Sequence, residues 1–152
     1  MSGTFPARRV VTGLDAQGRS CVLIDGPVPA WGETGGRVWR TTSHPADNSV
    51  QADCPDEPFS FEVMHTGGSV VMMHEFAPGI ADFWHATDSI EYLAMLSGAV
   101  VLRLEAGEVT LNAGDVLVDR GVLHSWHNPF AEPARAMIVA MPAQPVGKGR
   151  TV

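Results

Sequence analysis

The feature that most limits the fold is a rapid alternation of short apolar runs and turn formers over residues 83–141. Runs at 83–86, 89–96, 99–105, 108–111, 115–118, 123–127 and 134–141 are bounded by residues such as Gly98, Gly107, Gly114, Gly121 and Pro133. A helix needs a 3.6-residue apolar period sustained over roughly ten residues, and none interrupts this series. Short strands at close, regular spacing predict an all-β sandwich or barrel. The 16 glycines and 11 prolines agree, since many short strands need many tight turns.

Upstream, runs at 8–12 and 20–24 flank the turn formers Gly13, Asp15 and Gly18 and predict an N-terminal β-hairpin. A further strand is expected at 36–42. Residues 43–58 carry Pro45, Pro55 and Pro58 among Asp47, Asn48, Asp53 and Asp56, which predicts a long surface loop, with a lid as the functional alternative. A second hairpin is expected from runs at 59–65 and 69–76 around Thr66, Gly67 and Gly68. Residues 142–152 read as a loosely attached tail. The expected organisation is one structural domain, with 1–58 packing on a barrel formed by 59–141.

At 152 residues the chain is long enough for one core. A formal charge of −7 opposes binding to phosphate backbones and anionic lipid surfaces, so neither nucleic acid nor membrane is an expected partner. A small-molecule substrate or ligand is. No apolar run is long enough to span a bilayer and no secretory leader is evident, which predicts a cytoplasmic protein. Cys21 and Cys54 lack metal or redox spacing and read as reduced thiols. The N-terminal hairpin has an edge to cover, and a homodimer is one way to cover it.

The chemistry concentrates in two stretches. In the first, His85 and Glu91 lie on either side of a bend at Asp88 and Ser89, and pairing across that bend can bring imidazole and carboxylate together. Glu91, Leu93 and Met95 share one strand face, while Tyr92 points away. In the second, His124 shares a face with Trp126, and His127 faces the other way. Two histidines and a carboxylate form a facial set suited to a divalent ion; the same residues also serve as a hydrogen-bonded cluster without one. Thr87, Trp126, Met95 and Met73 are candidate pocket residues, although Trp and Met at such positions more often only fill a core. His65 and His74 belong to no recognisable spacing, and Asn128 reads as a turn cap before Pro129.

These two stretches resemble the paired motifs of the cupin family. The first family motif runs Gly, five residues, His, one residue, His, three or four residues, Glu, six residues, Gly, and Gly79, His85, Thr87, Glu91 and Gly98 stand at those places. The second ends Pro, one residue, Gly, two residues, His, three residues, Asn, matched by Asp119, Gly121, His124 and Asn128. Thr87 replaces the family's second histidine, Asp119 replaces the proline, and the run from Gly114 is one residue short.

The resemblance implies a double-stranded β-helix, the jelly-roll barrel of cupins, and a metal site reduced to His85, Glu91 and His124. The ion would be Fe, Mn, Ni, Co or Zn. The implied function is a divalent-metal-dependent enzyme acting on a small carbonyl or carboxylate compound by lyase or isomerase chemistry, with Glu91 as catalytic base. An Fe(II) dioxygenase is one alternative. A non-catalytic small-molecule-binding cupin with a degenerate metal site is the other.

Overall fold

The computed structural model describes residues 3–152, so the first two residues of the 1–58 segment lie outside the described residues. The strands are β1 (Thr4–Leu14), β2 (Ser20–Trp31), β3 (Gly35–Arg40), β4 (Val70–Phe76), β5 (Ser89–Ser97), β6 (Ala99–Leu104), β7 (Gly107–Asn112), β8 (Val116–Asp119), β9 (His124–His127) and β10 (Ala134–Pro142). A seven-stranded sheet runs β1-β2-β3-β4-β10-β5-β8 and a three-stranded sheet runs β7-β6-β9, with all pairings antiparallel. The architecture is a double-stranded β-helix extended at one edge by the N-terminal hairpin.

Alternation along the strands builds the core. β4 turns Val70, Met72 and Phe76 inward, β5 turns Leu93 and Met95, and β10 turns Ala134, Ala136, Ile138 and Ala140. Small alanines on β10 leave room for the larger side chains of its neighbours and of β6, whose Val100 is fully buried. Burying a side chain such as Phe76 or Leu93 contributes roughly 1.5–3 kcal/mol.

The hairpin forms where its turn chemistry predicts: Asp15 Oδ1 accepts from the backbone N–H groups of Gln17 and Arg19, both at 2.9 Å, and Gly18 takes φ +75°. Its strands run several residues longer than the sequence suggests.

The 43–58 segment is a loop strapped to the sheet. Buried Arg9 pairs with Asp53, buried Arg37 pairs with Asp56 at 2.9 Å, and Arg40 pairs with Glu57. Trp31 Nε1 donates to Glu57 O at 2.8 Å.

Three expectations need correction. Residues 59–65 form no strand: Ser60 Oγ accepts from Glu62 N at 3.2 Å and starts a one-turn helix, α1 (Glu62–His65). The apolar alternation there reflects Phe59 and Phe61 packing against other rings rather than a strand. Residues 83–86 contribute only a bridge between His85 and His124, because the edges of β5 are taken by β10 and β8.

The third concerns the tail, which is not loose. Ala143 N donates to Asp88 O, Thr151 N donates to Ala86 O, and Arg150 reaches Glu62 Oε2, all at 2.9 Å.

Candidate functional site

The bridge joining the two motif stretches fixes the centre of the site. His85 N donates to His124 O at 2.9 Å and His124 N donates to His85 O at 3.0 Å, which sets the imidazoles side by side with ring centroids 4.4 Å apart. Each Nδ1 lies 2.9 Å from a carbonyl two residues back, Phe83 O for His85 and Val122 O for His124. An Nδ1–H so engaged leaves Nε2 as the lone-pair atom. Burial also lowers the His85 pKa, keeping that ring neutral.

Glu91 lies on β5 opposite Asp119 of β8. Its Oε1 accepts from Thr87 Oγ1 at 3.2 Å and Ser89 Oγ at 3.1 Å, and those two buried hydroxyls lie 2.8 Å from each other. Burial pushes the Glu91 carboxyl above its usual range, and the negative charge of Asp119 adds to the effect.

Asp119 stands where the family pattern has proline and does the turn-making differently. Its Oδ1 accepts from Gly121 N at 2.9 Å and Val122 N at 3.3 Å, an Asx-type turn in place of a ring-constrained one. Its buried Oδ2 has no well-aligned hydrogen bond, yet sits 3.1 Å from His124 Nδ1. The same Nδ1 lies 2.9 Å from Val122 O, so the carbonyl and the carboxylate face one ring nitrogen.

His85, Glu91 and His124 open onto one cavity of about 340 Å³. Its walls are aromatic and aliphatic: Trp31, Phe59, Phe61, Phe76, Phe83, Trp126, Met72, Ile80 and Ile138. The rings interlock, with Trp31 edge-on to Phe59 at 5.2 Å, Phe59 edge-on to Phe61 at 5.3 Å, and Phe83 stacked on His85 at 4.8 Å. Few polar groups in an apolar cavity is the usual make-up of a small-molecule site.

The expected pocket residues divide. Trp126 lines the cavity, its ring 5.6 Å from that of His124. Thr87 is buried behind Glu91 and steadies the carboxylate rather than lining the wall. Met95 is a buried core residue and does not line the cavity.

Met73 is on the wrong side. Strand parity turns Met72 inward, and Met73, opposite Gly36 and Met137, faces away from the cavity. His74 follows the parity of Met72 and also lines the cavity. The sequence held this signal in the alternation Met72, His74, Phe76.

Whether these residues suit a divalent ion divides as well. The donor types do: two imidazoles with Nδ1 engaged, beside a carboxylate. Their placement is less complete, because among the described residues no three His, Cys, Asp or Glu side chains stand together as a ligand group. Glu91 is turned to its two hydroxyls.

Comparison with known proteins identifies the class. The cupin domain profile matches residues 72–140. The chain is 37% identical over 108 residues to Oryzines biosynthesis cluster protein J of Aspergillus oryzae, covering 68% of this chain and 58% of that protein. It is 32% identical over 151 residues to Phomopsin biosynthesis cluster protein D of Diaporthe leptostromiformis, covering 91% of this chain and 79% of that one. It is 35% identical over 83 residues to the cupin-domain-containing oxidoreductase virC of Hypocrea virens, with 52% and 43% covered.

Among solved structures, a Cupin 2 conserved barrel domain protein from Salinispora arenicola aligns with a TM-score of 0.46 at 23% identity, over 51% of this chain and 66% of that one. The chain belongs to the cupin family. No helix among the described residues is long and apolar enough to cross a membrane.

Proposed function

We propose that this cupin is a divalent-metal-dependent enzyme acting on a small, largely apolar organic molecule that carries a carbonyl or carboxylate. His85, His124 and Glu91 are the ligands in this reading. The observation that carries it is the matched pair of imidazoles, each with Nδ1 held by a backbone carbonyl two residues back and each lining the same cavity. A bound Fe, Mn, Ni, Co or Zn ion would polarise the substrate oxygen as a Lewis acid.

The chain's own groups do the rest. The aromatic walls exclude water and hold the apolar part of the substrate. Glu91 has Oε1 fixed by Thr87 and Ser89, so Oε2 is the atom that, with Glu91 holding the ion only loosely, takes or returns a proton, and a raised carboxyl pKa suits a group that exchanges protons. That chemistry is a lyase or isomerase step with Glu91 as base.

A second reading, an iron-dependent oxidoreductase of dioxygenase type, draws support from the printed name of the Hypocrea virens relative. A third is a non-catalytic binder, favoured by the hydroxyl contacts that keep Glu91 turned aside. Titration calorimetry of the purified chain with Zn(II), Mn(II) and anaerobic Fe(II) separates them. One ion per chain, lost in His124→Ala, is expected; iron preference with oxygen uptake selects the oxidoreductase. Absence of binding by every ion would remove both enzyme readings and leave the binder.

The homodimer belongs to the same proposal. β1 is the outermost strand of its sheet, and no strand among the described residues pairs with its outer edge. Sedimentation at the mass of one 16.2 kDa chain would remove it.

A further inference from the structure

One cavity group takes no part in the chemistry above. His74 stands on β4 between Met72 and Phe76, lines the cavity, and lies edge-on to the Phe76 ring with centroids 4.6 Å apart. His85 and His124 have their Nδ1 atoms engaged by carbonyls, whereas the ring nitrogens of His74 make no hydrogen bond to another described residue. The neighbouring carboxylate does not serve it either, because Glu75 turns to Arg135 at 2.8 Å.

A half-buried polar ring on the wall of a largely apolar cavity, without a protein partner, is a place where a ligand can supply one. Burial lowers the His74 pKa to about 4, so at neutral pH the ring offers one N–H donor and one lone-pair acceptor and no charge. A neutral imidazole in a cavity that Trp31, Phe59, Phe61 and Trp126 also line does not attract a carboxylate by charge. Its complement is an uncharged hydroxyl on an apolar, aromatic frame.

We propose that His74 is a specificity-determining residue of this cavity, hydrogen-bonding an uncharged hydroxyl of an aromatic ligand. The proposal rests on the reading of the cavity as a ligand site and is independent of whether a metal binds. It divides the substrate between two ends: an oxygen presented to His85, His124 and Glu91, and a hydroxyl presented to His74.

The test uses the full chain with two probes, 2-naphthol and naphthalene, followed by their fluorescence. The hydroxyl should make 2-naphthol bind roughly three- to tenfold tighter than naphthalene, the range of one neutral hydrogen bond. His74→Phe should abolish that ratio while naphthalene binding holds, and His74→Gln should retain part of it.

Should His74→Phe fold poorly, the ring ¹⁵N resonances of His74 in the wild type decide: they shift on addition of 2-naphthol and stay in place with naphthalene. An unchanged affinity ratio in His74→Phe, or unmoved ¹⁵N resonances with 2-naphthol bound, would overturn the proposal and leave the cavity reading intact. Failure of both probes to bind the wild type would overturn both.

Discussion

The two motif stretches treat their histidines alike and their carboxylates differently. His85 and His124 share a backbone bridge, and each has its Nδ1 2.9 Å from the carbonyl two residues back. Glu91, however, is held by two side-chain hydroxyls, whereas Asp119 is held by backbone N–H groups and lies against His124. The first stretch therefore has a carboxylate that side-chain substitution can free; the second has one built into its turn. The adjustable chemistry of this site lies with Glu91, and the rigidity with Asp119.

The contact between the stretches is the most sensitive point. Gly121 has φ +76°, and a Cβ there would lie 2.2 Å from Thr87 O and 2.9 Å from Ser89 O. Neither oxygen can give way without moving the strand that carries Glu91. Gly121→Ala is expected to cost about 3–5 kcal/mol, combining left-handed strain with a backbone clash. Urea unfolding checks this, and a loss below about 1 kcal/mol would mean the stretches are not packed as described.

Much of this was legible in the sequence, for reasons that differ by region. From β5 to β10 the strands follow from turn glycines and period-two alternation, and Glu91, Leu93 and Met95 share a face as parity requires. What parity could not supply is partnership. The 83–86 run is apolar enough for a strand, but β5 already has β10 and β8 on its edges, so His85 pairs with His124 instead. Residues 59–65 alternate like a strand because Phe59 and Phe61 join a chain of rings, a tertiary fact with no local signature.

The tail reads as unattached because its anchors are polar and distant: Thr151 on Ala86 and Arg150 on Asp88 and Glu62. On β4 the apolar run by itself does not say which face meets the cavity; pairing with β3 and β10 decides it, and turns Met72 and His74 inward where Met73 was the candidate.

His74 belongs to neither stretch and so sharpens the contrast. Its folded pKa of about 4 lies below the ordinary 6.5, so the unfolded chain binds the extra proton first as pH falls. A depressed histidine pKa gives stability that is fully present above pH 6.5 and is lost as pH drops from 6.5 toward 4. The 2.5-unit difference corresponds to about 3 kcal/mol. His85, lowered by burial, adds in the same direction. Denaturant midpoints measured from pH 7 to pH 4 should fall, and should fall less in His74→Phe. Equal slopes in the two proteins would show that His74 does not stay neutral.

The histidines themselves are separated by what removal leaves behind. His124→Ala takes from the buried Asp119 Oδ2 the imidazole nitrogen 3.1 Å away, while His85→Ala removes no nitrogen that close to a carboxylate. The first variant should be less stable than the second by about 1–2 kcal/mol. Identical losses would mean that Asp119 contributes nothing to His124.

The smallest effect bears most directly on Glu91. Thr87→Val keeps the shape of a side chain that is 1% exposed and removes one of the two hydroxyls on Oε1. Ser89 still donates, so stability should change by no more than about 1 kcal/mol. The carboxyl should respond more clearly: Thr87 and Ser89 both favour the charged form against burial and Asp119, so losing one raises the Glu91 pKa further. The side-chain ¹³C carboxyl resonance of Glu91, followed through a pH titration, should show its midpoint move upward in Thr87→Val. An unmoved midpoint would mean that hydroxyl contacts do not tune this carboxylate, and Glu91 would then be as fixed as Asp119.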